Sequence, residues 1–300
     1  MHANWRSRET FQALPIFHSP NVYNICYRAA AQIRFLVDII ELFLLGAVAG
    51  FTIFLGLPVA VVGIGDRVKG FLNAFAVGIL IFLIVDVFSH AWELVEDASV
   101  SAFAGTGSFG GAAADLALML GGLTIGLLGL VGYERTYMGK KQERVDPAKL
   151  STMTALGIGA HNLSEGLAIG QAYLGGLIGL NSGLAIVLVV GFAAHNATEG
   201  FGITAPLSGL NPRPKLSFVA KVLFIGGAPT LVGTLAGSVG FSPEAYVFFL
   251  ALAGGALVYV TMLMFNTGRR QYSNVLMMGG IFLGLCAGFL TDLIVVLGGA

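Results

Sequence analysis

The feature that most limits the fold of this chain is a succession of long apolar stretches. A helix that crosses a bilayer needs about 20 mostly apolar residues, and eight stretches reach that length. Only 11% of the residues are charged, whereas a soluble domain carries about 25%. We therefore predict an all-α, polytopic membrane protein with eight transmembrane helices. The predicted spans are Val37–Ile64, Phe71–Val95, Ala113–Tyr133, Leu150–Leu174, Ser182–Leu207, Phe218–Gly240, Pro243–Asn266 and Val275–Gly298.

Lysine and arginine residues predict the orientation of these spans. Basic residues occur in the loops after spans one, three, five and seven and are absent from the loops after spans two, four and six. Short cytoplasmic loops carry an excess of Lys and Arg, so the odd-numbered loops are predicted to be cytoplasmic and both termini to lie outside. Four arginines in the N-terminal tail oppose this arrangement, and twelve basic residues support it.

The predicted domains are an N-terminal tail, 1–36, and an eight-helix transport domain, 37–300. Within the second, 134–149 is the most charged stretch and is predicted to be a cytoplasmic linker. The moderately apolar part of the tail, 21–36, is interpreted as an interfacial helix, and an additional short span there stays open. The predicted location is the cell (inner) membrane, as a multi-pass protein.

Two similar polar motifs interrupt the fourth and fifth spans. The first reads AHNLSEG, from Ala160 to Gly166, and the second AHNATEG, from Ala194 to Gly200. In each motif the His and Glu are four residues apart, which puts them on one face of a helix. The two spans run in opposite directions and carry their motifs at a similar depth. We therefore expect the motifs to meet near the centre of the bilayer.

Ionisable groups at that depth are costly and are usually functional. Two imidazoles and two carboxylates form a ligand set that suits Zn²⁺ and also Fe²⁺, Mn²⁺ or Cd²⁺. The alternative is a pair of His–Glu contacts that only hold two helices together, but two copies at matching depth favour a metal site. The predicted metal ligands are His161, Glu165, His195 and Glu199, with Asn162 and Asn196 as neutral ligands.

A row of polar residues follows one face of the second span. Asp86, His90, Glu93 and Asp97 are spaced by four, three and four residues, which keeps them on one helical face. We interpret them as the wall of an access pathway that attracts and partly dehydrates cations. Asp292 in the eighth span is a further candidate. For Glu93 and Asp97 the alternative is a solvated helix end.

The paired motifs resemble the signatures of the ZIP (Zrt-/Irt-like protein) metal transporters, and the resemblance covers about residues 37–300. The segments GFTIFLGLPVA of span one and AFAVGILIFLIVDVFSHAWE of span two resemble the bacterial GufA-like branch. The resemblance implies uptake of a divalent cation, zinc above all, toward the cytoplasm through a site between spans four and five. The His and Glu residues of both motifs match the primary metal site of that family.

The sequence departs from the family pattern at three positions. Ser164 and Thr198 replace the prolines of the motifs, and Ser or Thr bends a helix more mildly by bonding back to a carbonyl. Ala228 stands before Pro229 in span six, where members with a binuclear centre carry Glu. We therefore predict softer kinks, one well-formed metal site and a weak or absent second one.

Other functions are less favoured. A membrane-embedded zinc-dependent hydrolase is the main alternative, but the zinc-protease pattern HExxH is absent, so we predict no enzyme. A structural protein with polar contacts between its helices is a third. The formal net charge of zero gives no reason to expect nucleic acid. The predicted partners are divalent metal ions and the lipid bilayer, and small-residue faces leave a homodimer open.

Overall fold

The computed structural model describes residues 38–137, 146–177, 184–239 and 243–297. The predicted tail, 1–36, and the centre of the predicted linker 134–149 lie outside the described residues. The chain divides into two compact units, Met1–Leu42 and Phe43–Ala300. The packing described below is that of the second unit.

The described residues are almost wholly helical. Within them 91% are in helices and none is in a strand, and seven segments are long and apolar enough to cross a membrane. This confirms the all-α membrane prediction. The count of eight stays a prediction, since the helix with the first polar motif is not among the seven. In chain order the helices are α1 (38–51), a 3-10 segment (Thr52–Gly56), α2 (Leu57–Val62), α3 (Asp66–Phe103), α4 (Phe109–Tyr137), α5 (Pro147–Leu177), α6 (Leu184–Thr204), a 3-10 turn (Ala205–Leu207), α7 (Leu216–Gly237), α8 (Pro243–Gln271) and α9 (Asn274–Leu297).

The first predicted span is divided between α1 and α2 by the 3-10 segment Thr52–Gly56. Pro58 lies in the first turn of α2, and a proline cannot donate the hydrogen bond that would continue a regular helix through it. Gly56 packs directly on the backbone of Gly200 in α6, and the hydroxyl of Thr204 donates to the Gly56 carbonyl at 2.8 Å. The break therefore brings the first span into contact with the second polar motif.

The stretch 96–112, between the second and third predicted spans, is largely helical. Helix α3 continues to Phe103 and spans 38 residues, which is roughly 57 Å at 1.5 Å per residue. That length exceeds the hydrocarbon core of a bilayer, about 30 Å, so one turn or more of α3 projects beyond it. The helix ends before Gly105, whose positive φ of 76° only glycine adopts readily.

The helices pack mainly in pairs that are distant in sequence. Helix α5 packs most extensively on α7, α4 on α8 and α3 on α9. Gly166 of α5 lies against the backbone of α7 near Thr230 and Gly233, where a side chain would collide. The glycines that follow the two motif glutamates thus allow neighbouring backbones to approach. The motif helices are thus supported by α7 and by the 3-10 segment of the first span.

Candidate metal centre

The two polar motifs meet between α5 and α6. His161, Glu165 and His195 are 2%, 4% and 8% exposed, and each offers a ligand atom within 4.8 Å of the other two. Oε1 of Glu165 lies 3.0 Å from Nε2 of His161 and is also in contact with Nε2 of His195. The two imidazole rings are 6.1 Å apart. One carboxylate therefore lies between two imidazoles in the protein interior.

The residues that replace the family prolines act on the backbone of the motif histidines. The hydroxyl of Ser164 donates to the carbonyl of His161 at 2.6 Å, and that of Thr198 donates to the carbonyl of His195 at 2.7 Å. The predicted back-bonding is confirmed, and both helices continue through their motifs. Each hydroxyl holds the turn that separates a histidine from its glutamate.

The two asparagines are buried, and their amide nitrogens are engaged by backbone carbonyls. Nδ2 of Asn162 donates to the carbonyl of Gly226 in α7 at 2.9 Å. Nδ2 of Asn196 donates to the carbonyl of Ala49 in α1 at 3.0 Å and to Oε2 of Glu165 at 3.2 Å. Neither Oδ1 atom has a hydrogen-bond partner among the described residues. The asparagines thus join the site to the flanking helices and keep one acceptor oxygen each.

Glu199 is separate from the other predicted ligands. It is 2% exposed, and among the described residues the side chain of Asn162 is close enough to contribute a hydrogen bond to its carboxylate. It does not belong to the group formed by His161, Glu165 and His195. A buried carboxylate at this depth is costly and needs an explanation.

A cavity of about 310 Å³ leads to the three-residue group. Helices α3, α5, α6, α8 and α9 all contribute to its wall, and it lies toward the starts of α6 and α8 and the end of α9. His161, Glu165 and His195 lie at its base, and Glu199 does not line it. The cavity makes the site reachable from one side of the protein.

Three of the five predicted access residues line this cavity. Asp86 and Asp292 are half-buried in its wall, and His90 is exposed, with Nδ1 3.5 Å from Oδ1 of Asp86. Glu93 and Asp97 are exposed and lie beyond the cavity on the same helix. The polar row on α3 therefore contributes its deeper half to the cavity.

Several cavity residues carry no sequence signal. Phe192 packs on His195 with ring centroids 5.5 Å apart. Tyr246 and Thr291 are two further residues of the cavity wall. An aromatic residue in an apolar span reads as ordinary core, so nothing in the sequence marks the first two. Thr291 could have been found from the sequence, because it stands next to Asp292, which is a predicted access residue. The hydrogen-bond partners of the asparagines are backbone carbonyls, which every residue has, so the sequence cannot identify them.

The fold and the site define a class of protein before any comparison is made. Apolar helices that enclose a buried His–Glu–His group, reached through a cavity, are expected of a membrane protein that handles divalent metal ions. The family model described as ZIP zinc transporter matches residues 135–292, which is more than half of the chain. The chain therefore belongs to the ZIP zinc transporter family and is a divalent-metal transporter of the membrane. A search of curated proteins found no match.

Proposed function

We propose that this chain moves a divalent cation, with Zn²⁺ as its preferred substrate, across the cell (inner) membrane into the cytoplasm. The observation that carries the proposal is the group of His161, Glu165 and His195 at the base of a cavity. Polar contacts that only hold helices together need no such access. The segments of spans one and two favour the bacterial GufA-like branch of the family.

The donor atoms support the choice of substrate. Two imidazole nitrogens and a carboxylate oxygen suit a borderline ion such as Zn²⁺ and are a poor set for Mg²⁺ or Ca²⁺, which prefer oxygen ligands. The carboxylates of Glu165 and Glu199 together compensate the charge of a divalent ion. Fe²⁺, Mn²⁺ and Cd²⁺ fit the same donors and are the expected competitors.

Helix α5 is proposed as a further membrane span, the fourth in chain order, which raises the count from seven to eight. Its 31 residues extend for roughly 46 Å at 1.5 Å per residue, which is more than a bilayer requires. The polar residues of the first motif lower its hydropathy, and a functional site within the bilayer has this effect. With eight spans and cytoplasmic odd-numbered loops, both termini and the opening of the cavity lie outside.

The cavity wall supports a directional approach to the site. The carboxylates of Asp86 and Asp292 attract a cation, and their partial burial strengthens that attraction relative to bulk water. His90 at the rim offers an exchangeable nitrogen. Glu93 and Asp97 contribute only to the field outside the cavity.

A single transported ion is favoured over a binuclear centre. The asparagine nitrogens are engaged by backbone carbonyls, so only the oxygens Oδ1 of Asn162 and Asn196 are left as neutral ligands. Ala228 brings no charge from α7. A second divalent ion in the same place would share carboxylates with the first and would be bound weakly.

The transport step follows from these contacts. The ion enters the cavity, loses part of its water at Asp86 and exchanges the rest for His161, Glu165 and His195. The imidazoles must be unprotonated to bind it, so binding releases any protons that they hold. The glycine contacts of α5 and α6 with α7 and the first span let these elements move as one body, which suits alternating access.

A zinc-dependent hydrolase is not favoured by this geometry. Hydrolysis needs a carboxylate base beside the water that the ion activates. Glu165 lies between the two imidazoles, and Glu199 does not line the cavity from which a substrate would come. Neither motif glutamate is therefore placed as a general base for that reaction.

The test is uptake of Zn²⁺, Fe²⁺, Mn²⁺ and Cd²⁺ into proteoliposomes, with and without a pH gradient. We expect the wild type to accumulate Zn²⁺ and the Glu165→Ala variant to lose uptake. The matched control is Glu96→Ala, which removes an exposed carboxylate of α3 and should transport normally. Wild-type liposomes that accumulate none of the ions would refute transport, and normal uptake by Glu165→Ala would refute the site.

A further inference from the structure

The cavity that leads to the candidate site has two chemically different sides. Helices α3 and α9 supply an acidic side, with Asp86 and Asp292 in the wall. On α5 and α6, the helices that carry the ligands, the hydroxyl of Ser164 is engaged by the carbonyl of His161. The other residues of this side beyond the ligands have apolar side chains or none, and they are Ala168, Leu188, Gly191 and Phe192. An ion on the three-residue group therefore has an apolar wall beside it.

Phe192 is the largest residue of this apolar wall, and it contacts a ligand. Its ring centroid lies 5.5 Å from that of His195, with 58° between the ring planes. The two residues are three apart on α6, so they share a face of the helix. Phe192 is half-buried and lines the cavity. Its ring thus stands where the cavity meets the site, in volume that water would otherwise fill.

The number of water ligands that a bound ion needs differs between the candidate substrates. The group of His161, Glu165 and His195 supplies three donor atoms. Zn²⁺ at such a site is completed by one further ligand, because it prefers four in all. Mn²⁺ prefers octahedral coordination and needs three more. An apolar ring beside the donors offers no oxygen and displaces water, so it opposes six-coordination more than four-coordination.

We propose that Phe192 is a specificity-determining residue, which favours Zn²⁺ over Mn²⁺ by keeping water from one side of the bound ion. This rests on the proposed function. The donor atoms by themselves already bind Zn²⁺ more tightly than Mn²⁺, and Phe192 widens that difference through the number of ligands. Because Phe192 donates no ligand atom, its loss should change the choice of ion more than the ability to bind one.

The first test measures ion preference. Dissociation constants for Zn²⁺ and Mn²⁺ are determined by titration of the purified protein, and uptake of both ions is measured in proteoliposomes. We expect Phe192→Ala to lower the ratio of the Mn²⁺ constant to the Zn²⁺ constant at least about tenfold, which corresponds to about 1.4 kcal/mol, and to shift uptake toward Mn²⁺. The matched variant Leu188→Ala removes apolar volume from the same wall one turn further from His195, and it should keep the wild-type ratio.

The second test reads the coordination number directly, with Co²⁺ as the probe. Four-coordinate Co²⁺ absorbs visible light much more strongly than six-coordinate Co²⁺. The wild type should give the intense spectrum, as should Phe192→Leu, which keeps an apolar side chain in place. Phe192→Ala should give the weak one. Should the alanine variant fail to fold, a wild-type spectrum of six-coordinate Co²⁺ would still overturn the proposal.

The outcomes separate this proposal from the proposed function. A wild type that binds none of these ions would refute the site itself. If the wild type binds Zn²⁺ and Phe192→Ala keeps the wild-type ratio, or Leu188→Ala shifts it equally, the role of Phe192 is refuted and the site stands.

Discussion

Replacing Glu165 by glutamine removes the charge at the centre of the candidate site and keeps the shape of the side chain. The carboxylate is 4% exposed, with Oε1 3.0 Å from Nε2 of His161 and Oε2 3.2 Å from Nδ2 of Asn196. Removing one partner of a buried charge pair costs about 2–5 kcal/mol. At 1.4 kcal/mol for each factor of ten, Zn²⁺ should bind roughly 30-fold to a few thousand-fold more weakly.

Thermal unfolding of the purified protein, with and without Zn²⁺, measures this loss. An ion at 100 times the dissociation constant stabilises the folded protein by about 2.7 kcal/mol, and the same ion at a site 100-fold weaker stabilises it by about 0.4 kcal/mol. The wild type and the control Glu96→Gln should therefore show a clear rise in Tm, and Glu165→Gln almost none. A variant that Zn²⁺ stabilises as strongly as the wild type would show that Glu165 is not a ligand.

Three further predictions address the cavity, the packing and the protons. Asp86→Asn should raise the KM for Zn²⁺ uptake several-fold with little change in kcat, because the charge of Asp86 acts on the approach of the ion. An unchanged KM would exclude Asp86 from the access pathway. Gly200→Ala should lower the free energy of unfolding by about 1–3 kcal/mol, because its Cβ would collide with the carbonyl of Ile53. The control variant Gly129→Ala faces open space and should leave the free energy of unfolding unchanged. Equal stability of the two variants would contradict the close packing. Zn²⁺ affinity should fall as the pH is lowered, since protons compete for the imidazoles. A titration that gives the same affinity at pH 5 and pH 7.5 would contradict imidazole ligation.

The length and chemistry of the segments were readable from the sequence. Long apolar runs predict membrane helices because hydrophobicity is a property of each segment alone. The spacing of His161 and Glu165, and of His195 and Glu199, predicts a shared face because the helical period is local. The back-bonding of Ser164 likewise involves only its own turn.

The helix breaks and ends needed the rest of the fold. Pro58 was a visible sign in the first span, but the 3-10 segment before it is also held by Gly200 and Thr204, which are distant in sequence. The extension of α3 beyond the predicted span depends on eight residues, EDASVSAF, of which only half are apolar. Hydropathy detects the bilayer-sized part of a helix and does not detect where the helix ends.

Sequence alone determined which residues could form the site, and tertiary structure decided how they are divided. The sequence gives no reason to separate the two histidines and two glutamates of the motifs, because the helical repeat places the His and Glu of each motif on one face in the same way. The rotation and depth of α5 against α6 are set by contacts with α7, the first span and α8, which local spacing does not encode. Those contacts place His161, Glu165 and His195 at the base of a cavity and leave Glu199 outside its wall.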